Sequence, residues 1–183
     1  ASETDDAHAY VKDSFTDINS RSGWTDAYML FDAPLPEDGE PDAERSVVFR
    51  LMVNGGGSRY PVFSSVSGQY PYKDPGTILL TWKNGAIYEY ARSQMKIQEY
   101  RGDEHVQPLP PGEKVLQELE SHPAIQMKAV EDLRLGYHMD YPPSARDFVG
   151  FDPGWFVKYE GSWQSFDDLT ETEERDMKGE NTQ

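Results

Sequence analysis

Apolar positions recur along the chain with two different periods. Between Thr4 and about Ile18 they fall at Ala7, Tyr10, Val11, Phe15 and Ile18, close to the helical repeat, with Thr4 placed as an N-cap and Asp5 and Asp6 in the first turn. The spacing predicts an amphipathic helix that Ser22-Gly23 breaks. Tyr28 to Phe31 is a short apolar run and reads as a strand. Residues Ala33 to Glu44, with Pro34, Pro36 and Pro41 among acids, read as an exposed connection. From there the period drops to two. Val47, Phe49, Leu51 and Val53 alternate with Val48, Arg50 and Met52, which predicts a strand with one apolar face. Asn54-Gly55-Gly56-Gly57 turns it, and Tyr60 to Phe63 returns as its partner. Ile78 to Trp82 and Ile87 to Tyr90 flank Asn84-Gly85, the preferred type I′ pair, so a hairpin is predicted whose second arm continues through Met95 and Ile97.

A second unit follows the polar stretch from Gly102 to Pro111. Pro108-Leu109-Pro110-Pro111-Gly112 leads into a short helix marked by Val115, Leu116 and Leu119, which stops before Pro123. Leu133, Leu135, Tyr137 and Met139 alternate in a strand starting near Met127 or Ala129. A loop with Pro142-Pro143 then reaches a closing hairpin, Trp155 to Phe166, turned by Glu160-Gly161. Trp155, Val157 and Tyr159 share its apolar face, and Phe156 and Lys158 share a mixed one. Beyond Asp167 the chain is acidic and poor in apolar residues, and is expected to fray.

The predicted class is α+β: antiparallel sheets with a few short helices, in two helix-plus-strands units packed together. The expected division is 1–104, 105–168 and an acidic tail at 169–183. The Arg50 to Gly55 strand with its return at Tyr60 to Phe63 echoes the Phe156 to Gly161 strand with its return at Trp163 to Phe166. An internal duplication is therefore left open.

Composition narrows the function. The 183 residues carry 33 acidic against 17 basic side chains, a formal charge of −16, and no basic patch, which argues against nucleic acid and anionic lipid as partners. The absence of cysteine excludes disulfides and thiolate chemistry. No apolar run approaches the roughly 18 residues that cross a bilayer. The chain begins at Ala1 without an initiator Met, so a processed chain, with a signal or anchor before it, stays open.

No reaction motif is assembled. The glycines at 55–57 are followed by a strand, and no Lys-Ser/Thr follows them, so they are not a phosphate loop. His8, His105, His122 and His138 lack metal-ligand spacing, Asp38-Gly39-Glu40 lacks the register of a calcium loop, and no Gly-x-Ser-x-Gly elbow exists. Arg101-Gly102-Asp103 is a tripeptide frequent by chance. No catalytic, cofactor-binding or metal residue is nominated. Aromatic residues remain: four tryptophans and eleven tyrosines. Trp82 and Trp155 are assigned to the core. Trp24, Thr25, Tyr60 and Trp163 form the candidate recognition surface, for a peptide or a glycan.

Several segments together resemble the C-terminal part of the YycH family, also called WalH. They are Gly23-Trp24-Thr25-Asp26 with Tyr28, Val48 to Gly55 leading to Pro61-Val62-Phe63, Trp82 with Asn84-Gly85, Leu109-Pro110-Pro111-Gly112, Leu133 to Tyr137, and Trp155 to Trp163. The sister family YycI has a similar closing hairpin and is the nearest alternative. The resemblance implies an extracytoplasmic domain of a protein held by one N-terminal transmembrane helix that is not in this chain. It implies an accessory regulator of the WalK–WalR two-component system of cell-wall metabolism, with the sensor kinase WalK and YycI as partners, no cofactor and no enzymatic activity. A peptide or wall-derived ligand is compatible with that role. The rival reading is an extracellular cell-wall glycan-processing enzyme. The glycine-rich segment at 54–59 is longer than the family's usual turn, and the acidity is unusual, so a ligand surface here would differ.

Overall fold

The computed structural model describes residues 3–21, 27–33, 44–64, 76–92, 108–140 and 150–171. The chain divides into two units, Ala1–Ile97 and Gln98–Gln183. Both are α+β.

In the first unit α1 (Glu3–Ser20) places Tyr10, Ser14 and Ile18 on one stripe by their four-residue spacing. Ser14 and Ile18 are fully buried. A serine on this face looks out of place until its partner is identified: the Trp82 indole N–H donates to Ser14 Oγ at 2.9 Å, so two buried polar groups satisfy each other. Tyr10 meets Trp82 edge-on with ring centroids 5.4 Å apart, and Phe15 meets Phe49 at 4.9 Å. Arg21, just past the helix, pairs with Asp17 at 2.6 Å and lies over the Tyr90 ring.

The sheet beneath α1 is antiparallel and consists of β1 (Tyr28–Asp32), β2 (Arg45–Gly55), β3 (Ser58–Ser64), β4 (Thr77–Lys83) and β5 (Ala86–Arg92). β2 is its hub. It pairs with β4 from Arg45↔Trp82 to Arg50↔Thr77, with β1 from Val48↔Asp32 to Leu51↔Tyr28, and with β3 from Met52↔Pro61 to Gly55↔Ser58. Val47, Phe49 and Leu51 are buried, as their alternation predicts. The other face of β2 is not left to solvent, because Arg50 is buried too. Its guanidinium lies 4.6 Å from the centroids of both Phe31 and Phe63, and Nη1 donates to the Val62 carbonyl at 2.8 Å. Two aromatic faces and a carbonyl thus offset part of the cost of removing the charge from water. The continuation of β5 through Met95 and Ile97, and the loop at 34–43, lie outside the described residues.

In the second unit α2 (Gly112–Ser121) buries Val115 and Leu119 and leaves Leu116 exposed, so the third apolar residue that marked this helix belongs to its outer face. A 3₁₀ turn, Met127–Ala129, leads to β6 (Val130–Asp140), β7 (Gly150–Tyr159) and β8 (Ser162–Ser165), an antiparallel sheet in that order. Val115, Leu119, Ile125, Val157, Tyr159 and Leu169 form the core, with Leu133, Trp155 and Phe166 packed on it. The predicted phase of β7 is therefore right. Phe156, on the opposite face, is buried as well, at 2% exposure.

Two elements extend beyond their sequence limits. β7 begins at Gly150, well before Trp155, and runs through Pro153; β8 pairs only with Phe156 to Tyr159, so Pro153 sits where β6 is the sole partner among the described residues and the missing N–H costs no bond there. At the other end, fraying does not begin where the acids do. The chain is helical over 166–171, which we label α3, and Leu169 is buried. The reason is a cap: Ser165 Oγ accepts the Asp168 N–H at 3.0 Å, and Asp167 and Asp168 lie in the first turn, where the helix dipole favours them.

Among the described residues three tight hairpins use two-residue turns with positive φ at both positions: Gly56-Gly57, Asn84-Gly85 and Glu160-Gly161. This is the type I′ requirement. Glu160, at φ 49°, is the least suited of the six residues to that conformation.

Candidate functional site

Of the four residues assigned to recognition, Trp24 and Thr25 lie outside the described residues. Tyr60 sits half-buried in β3 opposite Val53, in the first unit, and Trp163 sits half-buried in β8 opposite Lys158, in the second.

Around Trp163 the strand register sets the chemistry. Asp132, Lys158 and Trp163 form one row across β6, β7 and β8. Arg134, two residues along β6 from Asp132, shares its face and lies over the Trp163 ring at 5.5 Å, while its Nε donates to Asp132 Oδ2 at 2.7 Å. Asp132 thus holds Arg134 where it can cover the indole. The Arg134 side chain keeps 44% of its surface exposed, so this is a solvent-facing aromatic–arginine pair.

Glu131 occupies the bulge between Val130 and Asp132, the extra residue in β6 opposite β7. The bulge aims its carboxylate at the closing turn. One oxygen accepts the Gly161 N–H at 2.6 Å and the other is 3.0 Å from Lys158 Nζ. The hydrogen bond from Lys158, and then that from Gly161, hold the Glu131 carboxyl below the usual carboxylate range. The Glu160 N–H donates to the Ala129 carbonyl at 3.1 Å, which ties the same turn to the start of β6.

Trp155, assigned to the core from its place in the alternation, also lines an open groove of about 500 Å³. The indole N–H donates to the Pro110 carbonyl at 2.9 Å, and the ring abuts Gly112, where a Cβ would stand 3.0 Å from Cη2. Pro108, Pro110, Pro153 and Phe166 form the apolar walls, and Lys114, Glu118 and Asp167 stand on the rim. The segment Leu109-Pro110-Pro111-Gly112 therefore has a physical role, since it supplies the acceptor for the indole and the one residue small enough to sit beneath it. The Pro111 carbonyl also takes the Lys114 and Val115 N–H groups and opens α2.

Among the described residues no group of three or more His, Asp or Glu side chains is gathered to hold a metal ion, and no helix is long and apolar enough to cross a membrane.

The fold and these two surfaces define an α+β domain of antiparallel sheets whose distinctive groups are aromatic, arginine and proline. The family described as YycH protein, C-terminal domain, has a model that matches residues 1–174, and the chain belongs to that family. Membership places it among regulatory accessory proteins of the WalK–WalR system, a family not known for enzymatic activity, and makes it an extracytoplasmic region of a membrane protein. No curated protein and no solved structure matches the chain.

Proposed function

We propose that this domain is a non-catalytic contact module through which its parent protein engages the sensor kinase WalK and the companion protein YycI outside the cytoplasm. The observation that carries this reading is the family match over residues 1–174. The Arg134–Trp163 pair supports it, since Trp and Arg are the residue types most often responsible for binding energy at protein interfaces. Trp163 is the contact residue and Arg134 its positioning partner.

The test is association of the 183-residue chain with the purified extracytoplasmic parts of WalK and of YycI, followed by calorimetry. Trp163→Ala is expected to weaken binding by about tenfold or more with an unchanged circular dichroism spectrum. No association with either partner at about 100 μM would overturn the reading. Turnover of peptidoglycan fragments that vanished on replacing a single carboxylate would favour an enzyme instead.

A further inference from the structure

We propose that the groove beside Trp155 binds an extended, proline-containing basic segment of a partner protein. The segment's prolines lie on Trp155 and the proline walls, and its Lys or Arg side chain reaches Glu118 and Asp167. This rests on the reading of the domain as a contact module and adds the surface and the chemistry it selects.

Three features lead to that occupant. The first is the lining. Pro108, Pro110 and Pro153 with Trp155 and Phe166 present rigid apolar ridges and a flat ring, the surface that suits a polyproline II strand, whose backbone is already ordered before binding. The indole N–H is committed to the Pro110 carbonyl, so the Trp155 ring offers apolar contact and no donor.

The second is charge. Lys114 Nζ is 3.5 Å from Glu118 Oε1, and both side chains are largely exposed, at 63% and 47%. Such a pair is weak and exchangeable. Asp167 adds a second carboxylate, so the rim holds two negative groups against one positive, on a chain of formal charge −16. A cation is attracted, whereas an acidic peptide is repelled. A glycan would require free, fixed donors and acceptors along the floor, where the Trp155 indole N–H is already spent on the Pro110 carbonyl.

The third is rigidity. Trp155 is fixed by its hydrogen bond, by Gly112 and by its strand, and Phe166 opens a helix capped by Ser165. Little ordering entropy is lost when the groove is filled.

The experiment uses the intact chain and fluorescein-labelled nine-residue peptides with the repeats Pro-Pro-Lys, Pro-Pro-Glu and Gly-Gly-Lys, read by anisotropy, with the Trp155 indole N–H resonance as a second readout. Pro-Pro-Lys is expected to bind about tenfold or more tightly than either control and to shift the Trp155 resonance. Glu118→Gln combined with Asp167→Asn, both at exposed sites, is expected to reduce that affinity by about tenfold, with only the small fall in melting temperature that follows from losing the Asp167 charge in the first turn of α3. Equal binding by the double variant and the unaltered chain would assign the attraction to diffuse net charge and overturn the proposal. Equal binding of Gly-Gly-Lys, no binding of Pro-Pro-Lys at millimolar protein, or a Trp155 shift caused by chitotetraose and not by the peptide would overturn it as well. Each of these leaves association with WalK and YycI as a separate result.

Discussion

Trp155 and Gly112 are in such close register that the indole occupies the space where a side chain on Gly112 would begin, with Cη2 and Cζ2 at 3.0 and 3.4 Å from an ideal Cβ. At an open helix position, Gly→Ala stabilises by about 1 kcal/mol. Here the ring is pinned by its bond to Pro110 and cannot swing away freely. Gly112→Ala is therefore expected to reverse the usual sign and destabilise the domain by about 1–2 kcal/mol, as overpacking does, in a denaturant titration.

Ser14 and Trp82 give a second test. Ser14→Ala leaves the Trp82 indole N–H without its acceptor inside the first unit, at an expected cost of about 1–3 kcal/mol. Adding Trp82→Phe removes the orphaned donor, so the double variant should lose less than the sum of the two single variants. Additive losses in thermal melts would show that the bond contributes nothing of its own.

The Glu160 turn is improvable. Its positive φ suits Asn far better than Glu, and Glu160 is exposed, so Glu160→Asn is expected to stabilise by about 0.5–1 kcal/mol. An unchanged or lowered denaturation midpoint would contradict this.

Glu131 predicts a pH dependence. Its folded-state pKa lies below the ordinary glutamate value of about 4.3, so the unfolded chain takes up the proton first as pH falls. The stabilisation is complete above that ordinary value and is lost as pH drops through the depressed one. Glu131→Gln should therefore lie below the unaltered protein in melting temperature by a constant gap at neutral pH, and the gap should close in melts taken on the acid side of pH 4. A gap that widened with acid would reverse the assigned sign.

What could be read in the sequence follows from what is local. Asn84-Gly85 and Glu160-Gly161 announce their hairpins because the turn residues and the flanking alternation lie within a few positions of one another. Ser14 resisted, since a polar residue on an apolar stripe is explained only by Trp82, 68 residues away. Leu169 was hidden by its acidic neighbours, although Ser165 with Asp168 three residues on is a legible cap. The Trp155 groove needed Pro108 and also Pro110, which approaches from 45 residues upstream, and no periodicity reports such a meeting. The start of β7 at Gly150, ahead of Trp155, was not legible either, because whether a strand tolerates Pro153 depends on how far β8 extends.

β2 carries its own consequence. Over Val48 to Arg50 it is flanked by β1 on one side and β4 on the other, and β3 continues the pairing from Met52. A slip of β2 by a single residue would exchange Phe49 for Arg50 against α1 and would have to break three ladders at once. The first unit therefore has no inexpensive misregistered state, and its strands should lock together in one cooperative event once β4 has been synthesised, β2 remaining open on one side until then.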